Sequence, residues 1–270
     1  MRIDQLLVQL GHATSRSQAQ RLVAAGVSWR LPVPAGNPWR AVRKCGDDVP
    51  EGAELHLADD RESRYVSRGG LKLEGALAAT GVAVRGKRCL DVGQSTGGFT
   101  DCLLRAGAIQ VVGVDVGHGQ LHPTLRADSR VVALEGINAR ALTAADLVAD
   151  NACESSADSQ KSLKFSLVVG DLSFISLTLV LPVLVPLLAP GGDVLMLVKP
   201  QFELQPADIG KGGLVRDPAS AYPRVERRLR EACAALGLQV LAWLDSPIAG
   251  GDGNREFFIH ARVAVGEGGA

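Results

Sequence analysis

The sequence has no surplus charge of either sign. Lys and Arg total 29, Asp and Glu total 29, and the formal net charge over 270 residues is zero. A general basic coat for nucleic acid is thereby excluded, and any RNA contact must come from local patches. Cysteine is sparse: 5 residues, Cys45, Cys89, Cys102, Cys153 and Cys233, widely spaced and without a C-x-x-C pair. An odd, scattered set argues against disulfides and against a cysteine zinc site, and no metal site is expected. Long apolar runs are also missing. Segment 175–190 is the most hydrophobic, but Pro182, Pro186 and Pro190 interrupt it, and it falls short of the ~20 residues a membrane span needs. It reads as a buried helix, and no membrane association is expected. Asp4 stands where a secretory leader would turn apolar, so a cytoplasmic location is expected. Hydrophobic residues make up 46% of the chain and charged residues 21%, enough for a packed core. The length suits one large α/β domain with a small appendage.

Residues 1–60 read as a separate small unit. Ile3, Leu6, Leu7 and Leu10 follow helical spacing, with Gly11 as a stop. Ser15 precedes a second helix carrying Ala19, Leu22 and Val23 and ending at Gly26. Pro32, Pro34, Gly36 and Pro38 mark a loop, and 53–58 alternates weakly like a strand. Arg61, Arg64, Arg68 and Lys72 against Glu62 form a basic connector, either a solvated linker or a nucleic-acid contact. From Arg88 strands and helices alternate. Strands are expected at 89–92, 111–116, 131–134, 165–169 and 194–198, helices at 98–106, from about 175 and at 221–236, and closing strands at 238–244 and 256–263. Repeated βα units predict an α/β fold, a parallel, doubly wound sheet covered on both faces. Segment 151–164 is polar and serine-rich, a surface insertion with no assigned role.

The stretch Asp91-Val92-Gly93-Gln94-Ser95-Thr96-Gly97-Gly98-Phe99-Thr100 carries the most information. A strand runs into a glycine-rich turn and then a helix, whose first N–H groups are free to bind a ligand. Asp115 ends the next strand, where an acid can hold ribose hydroxyls. The spacing is G-x-x-x-G-G rather than the dinucleotide G-x-G-x-x-G, which favours S-adenosylmethionine over a nicotinamide cofactor. Asp91 is placed to accept from the cofactor's ammonium. The expected cofactor set is Asp91, Gly93, Ser95, Thr96, Gly97, Gly98, Phe99 and Asp115, with Asn138 beyond the third strand and Asp171 after the fourth.

In open α/β sheets ligands sit at the carboxyl ends of strands. Those ends present Asp171 in Gly170-Asp171-Leu172-Ser173-Phe174 and Lys199 after the fifth strand. The first lacks the Asn/Asp-Pro-Pro-aromatic run of enzymes that methylate exocyclic amines, and no cysteine stands ready for carbon methylation. An oxygen nucleophile activated by a lysine remains. Lys199 acts as base only with its affinity for the proton lowered, and Lys72 is placed to act as the second cation that does so. Asp171 opposes that shift, and a structural Lys199–Asp171 ion pair is the competing reading.

Five strings carry a family resemblance: Tyr65-Val66-Ser67-Arg68-Gly69-Gly70-Leu71-Lys72-Leu73, Asp91 to Asp101, Asp171-Leu172-Ser173-Phe174-Ile175-Ser176-Leu177, Leu197-Val198-Lys199-Pro200-Gln201-Phe202-Glu203 and Lys211-Gly212-Gly213-Leu214-Val215-Arg216-Asp217. Together they resemble the TlyA family, also called hemolysin A-like and related to FtsJ ribosomal RNA methyltransferases. The resemblance implies an alpha-L RNA-binding domain at 1–60, a linker at 61–66 and a Rossmann-like methyltransferase domain at 67–270. It implies S-adenosylmethionine as cofactor, ribosomal RNA within ribosomal subunits as partner, and ribose 2′-O-methylation as activity. It also implies a Lys-Asp-Lys-Glu tetrad, which falls on Lys72, Asp171, Lys199 and Glu256; without it Glu256 reads as an edge-strand acid. Arg16, Arg21, Arg30, Arg64 and Arg68 are the expected RNA contacts. Two departures stand out: Gln94 occupies a position that is usually small in the family, and Val27-Ser28-Trp29-Arg30-Leu31-Pro32 replaces the usual Val-x-Val-Asn-Gly. The alternatives from other classes are a membrane-active cytolysin and a non-catalytic RNA-binding assembly protein. The Lys211-Gly212-Gly213 segment is either a lid or a plain loop.

Overall fold

The structure, a computed structural model, describes residues 1–13, 15–32, 36–59, 64–147, 164–250 and 253–263. Arg61, Glu62, Cys153 and nearly all of the 151–164 insertion lie outside the described residues. The chain falls into two compact units, Met1–Arg68 and Gly69–Ala270.

In the first unit, α1 (Ile3–Gln9) and α2 (Arg16–Gly26) are the two helices the apolar spacing predicts. Ser15 caps the second, its hydroxyl accepting from the Gln18 amide at 3.3 Å. Three short strands follow, β1 (Val27–Arg30), β2 (Arg40–Ala41) and β3 (Glu54–Leu57), in the antiparallel order β2-β1-β3. Only β3 is legible from alternation. Ile3, Leu7, Ala19, Leu22, Val27 and Val49 form the core of this unit.

The second unit opens with α3 (Gly69–Thr80), so the basic connector ends inside a helix whose Lys72 is buried. Then come β4 (Arg88–Val92), α4 (Gly98–Arg105), β5 (Gln110–Asp115), α5 (Pro123–Arg126), β6 (Val131–Glu135) and β7 (Phe165–Gly170). The apolar segment 175–190 is not one helix. Ser176 and the prolines break it into a 3-10 turn, α6 (Leu181–Leu184) and a second 3-10 turn, and from Leu188 it is already strand. The chain continues with β8 (Leu188–Val198), α7 (Pro200–Glu203), α8 (Pro218–Ala235), β9 (Leu238–Asp245) and β10 (Phe257–Val263).

The sheet is Rossmann-like, with order β6-β5-β4-β7-β8-β10-β9. Strands β4 to β8 are parallel, and their interior residues are apolar on both faces, as a doubly covered sheet requires. The expectation of a fully parallel sheet fails at one strand: β10 runs antiparallel to both β8 and β9. That reversal places the start of β10 beside the end of β8, Phe257 opposite Val198. Glu256 therefore enters the row of strand ends from an interior strand, not from an edge.

Candidate active site

Four strand termini meet at one rim. β4 ends into the turn at Gly93, β5 ends on Asp115, β7 is followed by Asp171, and β8 by Lys199. Gly93 has φ +83, and a Cβ there would lie 2.6 Å from the Asp171 carbonyl oxygen, so the crossing of the two loops demands glycine. Gly97, φ +92, caps α4 against Leu121 and Leu125. Asp115 pins the turn from outside: its Oδ2 accepts from the Ser95 amide at 2.7 Å and its Oδ1 from the Gly117 amide at 2.7 Å.

A cavity of about 490 Å³ opens beside this turn, within the range of small-molecule sites, roughly 300–1,000 Å³. Of the expected cofactor residues, Gly93, Ser95, Asp115, Asn138 and Asp171 line it. Asp91, Thr96, Gly97, Gly98 and Phe99 do not; Phe99 stacks on Phe258 at 6.2 Å in the interior. Gln94 also turns inward. Its Nε2 donates to Thr100 Oγ1 at 2.9 Å and its amide covers Gly113, so it takes no cofactor space. Leu172, Ser173 and Phe174 complete one wall. A backbone-floored cavity with an acid at the second strand end fits a nucleoside with an amino-acid tail.

Asp91 is fully buried, and its Oδ2 accepts from Thr100 Oγ1 at 2.7 Å while Oδ1 has no hydrogen-bond partner. Burial pushes its carboxyl up to about 7, and the nearby Asp171 and Asp115 add to the rise. An acid raised in the fold contributes stability that is fully present below its ordinary value of 3.8 and lost as pH rises through about 7. The span corresponds to roughly 4 kcal/mol. Asp91→Asn is therefore expected to melt well above the natural protein at pH 8 and to converge with it near pH 4, as followed by calorimetry across pH. Parallel curves would remove Asp91 as the titrating group.

The four polar groups of the tetrad converge as two ion pairs. Lys72, from the first turn of α3, lies 2.5 Å from Glu256 Oε2, and both side chains are buried. Lys199 Nζ lies 2.5 Å from Asp171 Oδ1 and donates to Ser173 Oγ at 2.8 Å. The contact with Asp171 is one of charge, since Oδ1 receives no directed hydrogen bond. Burial raises the Glu256 carboxyl, while Lys72 and Lys199 pull it down and Asp171 pushes it up, so Glu256 feels the other three groups. Lys72 is charge-compensated by Glu256, which corrects its expected role as a free second cation acting on Lys199.

Phe174 and Asn254 were missed by sequence reasoning. Phe174 is 90% exposed, holds φ +64, and meets Phe202 at 5.0 Å between ring centres. Its neighbour Ser173 in the same string was the available signal. Asn254 is buried and bonds the Val215 amide and the Gly213 carbonyl, tying the Lys211–Gly213 turn to the segment that leads into Glu256. Among the expected RNA contacts, Arg16 and Arg64 are exposed while Arg21, Arg30 and Arg68 are half-buried, and Arg30 pairs with Glu54 at 2.6 Å. No helix among the described residues is long and apolar enough to cross a membrane. None of the described cysteines, Cys45, Cys89, Cys102 and Cys233, is in a disulfide.

Comparison with known proteins agrees with this geometry. The profile of the FtsJ-like methyltransferases matches residues 65–263, and that of the S4 domain matches residues 1–26. The 16S/23S rRNA (cytidine-2′-O)-methyltransferase TlyA of Mycobacterium tuberculosis is 43% identical over 265 residues, covering 97% of this chain and 90% of that protein. Hemolysin A of Brachyspira hyodysenteriae is 35% identical over 263 residues, covering 96% of this chain and 99% of its own. A structure described as a candidate hemolysin, from Streptococcus thermophilus, superposes with a TM-score of 0.70 at 39% identity, covering 97% of this chain and 88% of that one. With both profiles in register and near full-length identity to such relatives, the chain belongs to the TlyA family of FtsJ-like methyltransferases.

Proposed function

We propose that this protein is an S-adenosylmethionine-dependent methyltransferase that modifies a ribose 2′-hydroxyl of ribosomal RNA, a cytidine being the expected nucleoside. The carrying observation is the convergence of Lys199–Asp171 and Lys72–Glu256 at the strand ends that border a glycine-floored, nucleoside-sized cavity. In this reading Gly93, Ser95, Asp115, Asn138 and Asp171 hold the cofactor.

Bound in this cavity, S-adenosylmethionine would supply a methyl on a sulfonium whose carrier leaves as a neutral thioether, so no acid would be required. The demand falls on the nucleophile, whose proton must leave as the O–CH3 bond forms. Lys199 Nζ, in its neutral form, receives that proton. Asp171 at 2.5 Å then stabilises the ammonium it becomes, and Ser173 fixes its direction. The Lys72–Glu256 pair acts as a positioning element, locking α3 to the start of β10 beside Lys199. In the charged state the two ammonium groups and two carboxylates sum to zero, so the quartet neither repels a sulfonium nor traps it.

Phe174 supplies a shelf for the target base. A non-glycine residue in left-handed backbone is strained, and that strain keeps an aromatic ring in solvent at the cavity wall. Base stacking of this kind is worth roughly 1–3 kcal/mol. Phe174→Ala is expected to lower kcat/KM for RNA by about tenfold or more and Phe174→Trp to retain most of it; equal kinetics in all three proteins would remove the shelf. Residues 1–60 with Arg16, Arg21 and Arg30, and the connector with Arg64 and Arg68, provide the RNA grip for the catalytic part at 67–270.

The test is to map ribose methylation in ribosomal RNA from cells with and without the protein, and on ribosomal subunits treated with purified protein. Cytidine 2′-O-methyl groups present only with the protein are expected. An unchanged map, from protein that binds S-adenosylmethionine, overturns the assignment.

A further inference from the structure

The S4 match ends at residue 26, and the sheet that follows has a chemistry of its own. Along β1, Val27 and Trp29 face the core, so Ser28 and Arg30 face the other way. Strand register sets His56 opposite Ser28 and Glu54 opposite Arg30 on that outward face. Trp39, just before β2, lies 5.6 Å from the His56 ring, and the Arg30 guanidinium sits 4.6 Å from the Trp39 ring centre. Despite both contacts Trp39 is 43% exposed. Glu54 is neutralised by Arg30 at 2.6 Å. Arg40 pairs with Trp29 and lies over its ring at 5.3 Å, on the other face, whereas Arg43 and Lys44 beyond β2 are exposed and share the Asp47 carboxylate, which their amides also bind.

We infer that the outward face of this sheet is a stacking site for an unpaired RNA base, with Trp39 and His56 as the platform and Arg43 and Lys44, farther along the same segment, as contacts for flanking phosphates. Exposed indole and imidazole rings on a face that also carries cations are the chemistry of single-strand recognition, in which every base offers a π face and every linkage a charge. One indole and one imidazole are far short of the apolar core a protein partner needs. The inference rests on the RNA reading above and adds a contact at a site remote in sequence from the reacting groups.

The test uses the full chain. Trp29→Phe with Trp243→Phe leaves Trp39 as the only indole of the 3 tryptophans. Oligocytidine is expected to quench its emission saturably, whereas heparin, a polyanion without bases, binds with no quenching. In the otherwise natural chain Trp39→Ala is expected to raise the Kd for oligocytidine at least about fivefold, with Trp39→Phe closer to wild type and S-adenosylmethionine binding unchanged in both. Three results overturn the site: no oligocytidine binding, binding without quenching, or wild-type Kd in Trp39→Ala. Methylation of ribosomal subunits by the same preparation keeps the two readings apart, because an active enzyme with an indifferent Trp39 loses only the stacking site.

Discussion

Lys199→Ala is expected to lower kcat for methyl transfer by roughly 10²–10⁴-fold, while S-adenosylmethionine affinity and the melting temperature change little. The lysine projects from the strand end next to the cavity wall but is not among the residues that line the cavity. Its removal takes away the proton acceptor and leaves the glycine turn and Asp115 intact. Lys199→Arg keeps the charge and the contact with Asp171 but cannot accept a proton, since guanidinium stays protonated at any accessible pH. The two variants should therefore be similarly inactive if Lys199 takes the proton. A highly active Arg variant would show that only the positive charge matters. Single-turnover assays with saturating cofactor separate this chemical defect from weaker RNA binding.

The second large effect is on stability. Lys72 and Glu256 are 6% and 3% exposed and lie 2.5 Å apart. Removing one partner of a buried pair strands the other charge, at a cost of about 3–5 kcal/mol. Lys72→Met should therefore melt on the order of 10 °C lower at pH 8. Burial already raises the Glu256 carboxyl, and Lys72 pulls it back. An acid with a raised folded value stabilises fully below its ordinary 4.5 and loses that contribution as pH rises. The deficit of Lys72→Met should accordingly shrink as the solution is acidified and Glu256 takes up a proton. The double variant Lys72→Met, Glu256→Gln should recover much of the stability without recovering activity. A Lys72→Met deficit independent of pH would place its origin in packing rather than in the stranded carboxylate.

Much of the site was legible because it is local. A strand that runs into glycines, or ends on Asp115, Asp171 or Lys199, announces itself within ten residues of sequence. Glu256 was legible only through family resemblance, because what brings it beside Lys199 is the order and direction of strands. Alternation along 256–263 shows a strand but cannot show that it runs backward between two others, and that reversal alone sets Glu256 beside Lys199. The helix expected from residue 175 does not form for a simpler reason: Pro182 and Pro186 permit only short turns in that apolar segment. Phe174 stayed hidden because exposure of a large aromatic follows from backbone strain at a single residue, which no periodicity reports. In the first unit, β2 is only 2 residues long, and β1 follows α2 at Gly26 without a break that would mark its start.

The place of β10 bears on how the protein is made. A polypeptide grows from its amino end, so β8 is complete, and its outer edge unpaired, while the segment destined to cover it is still being synthesised. β9 emerges before β10 yet has no partner until β10 slides between it and β8. An open edge flanked by a waiting strand invites pairing with other chains. The last carboxylate of the quartet arrives with that same closing strand. On the proposed role of the quartet, the site is complete only once the strand that seals the sheet is in place.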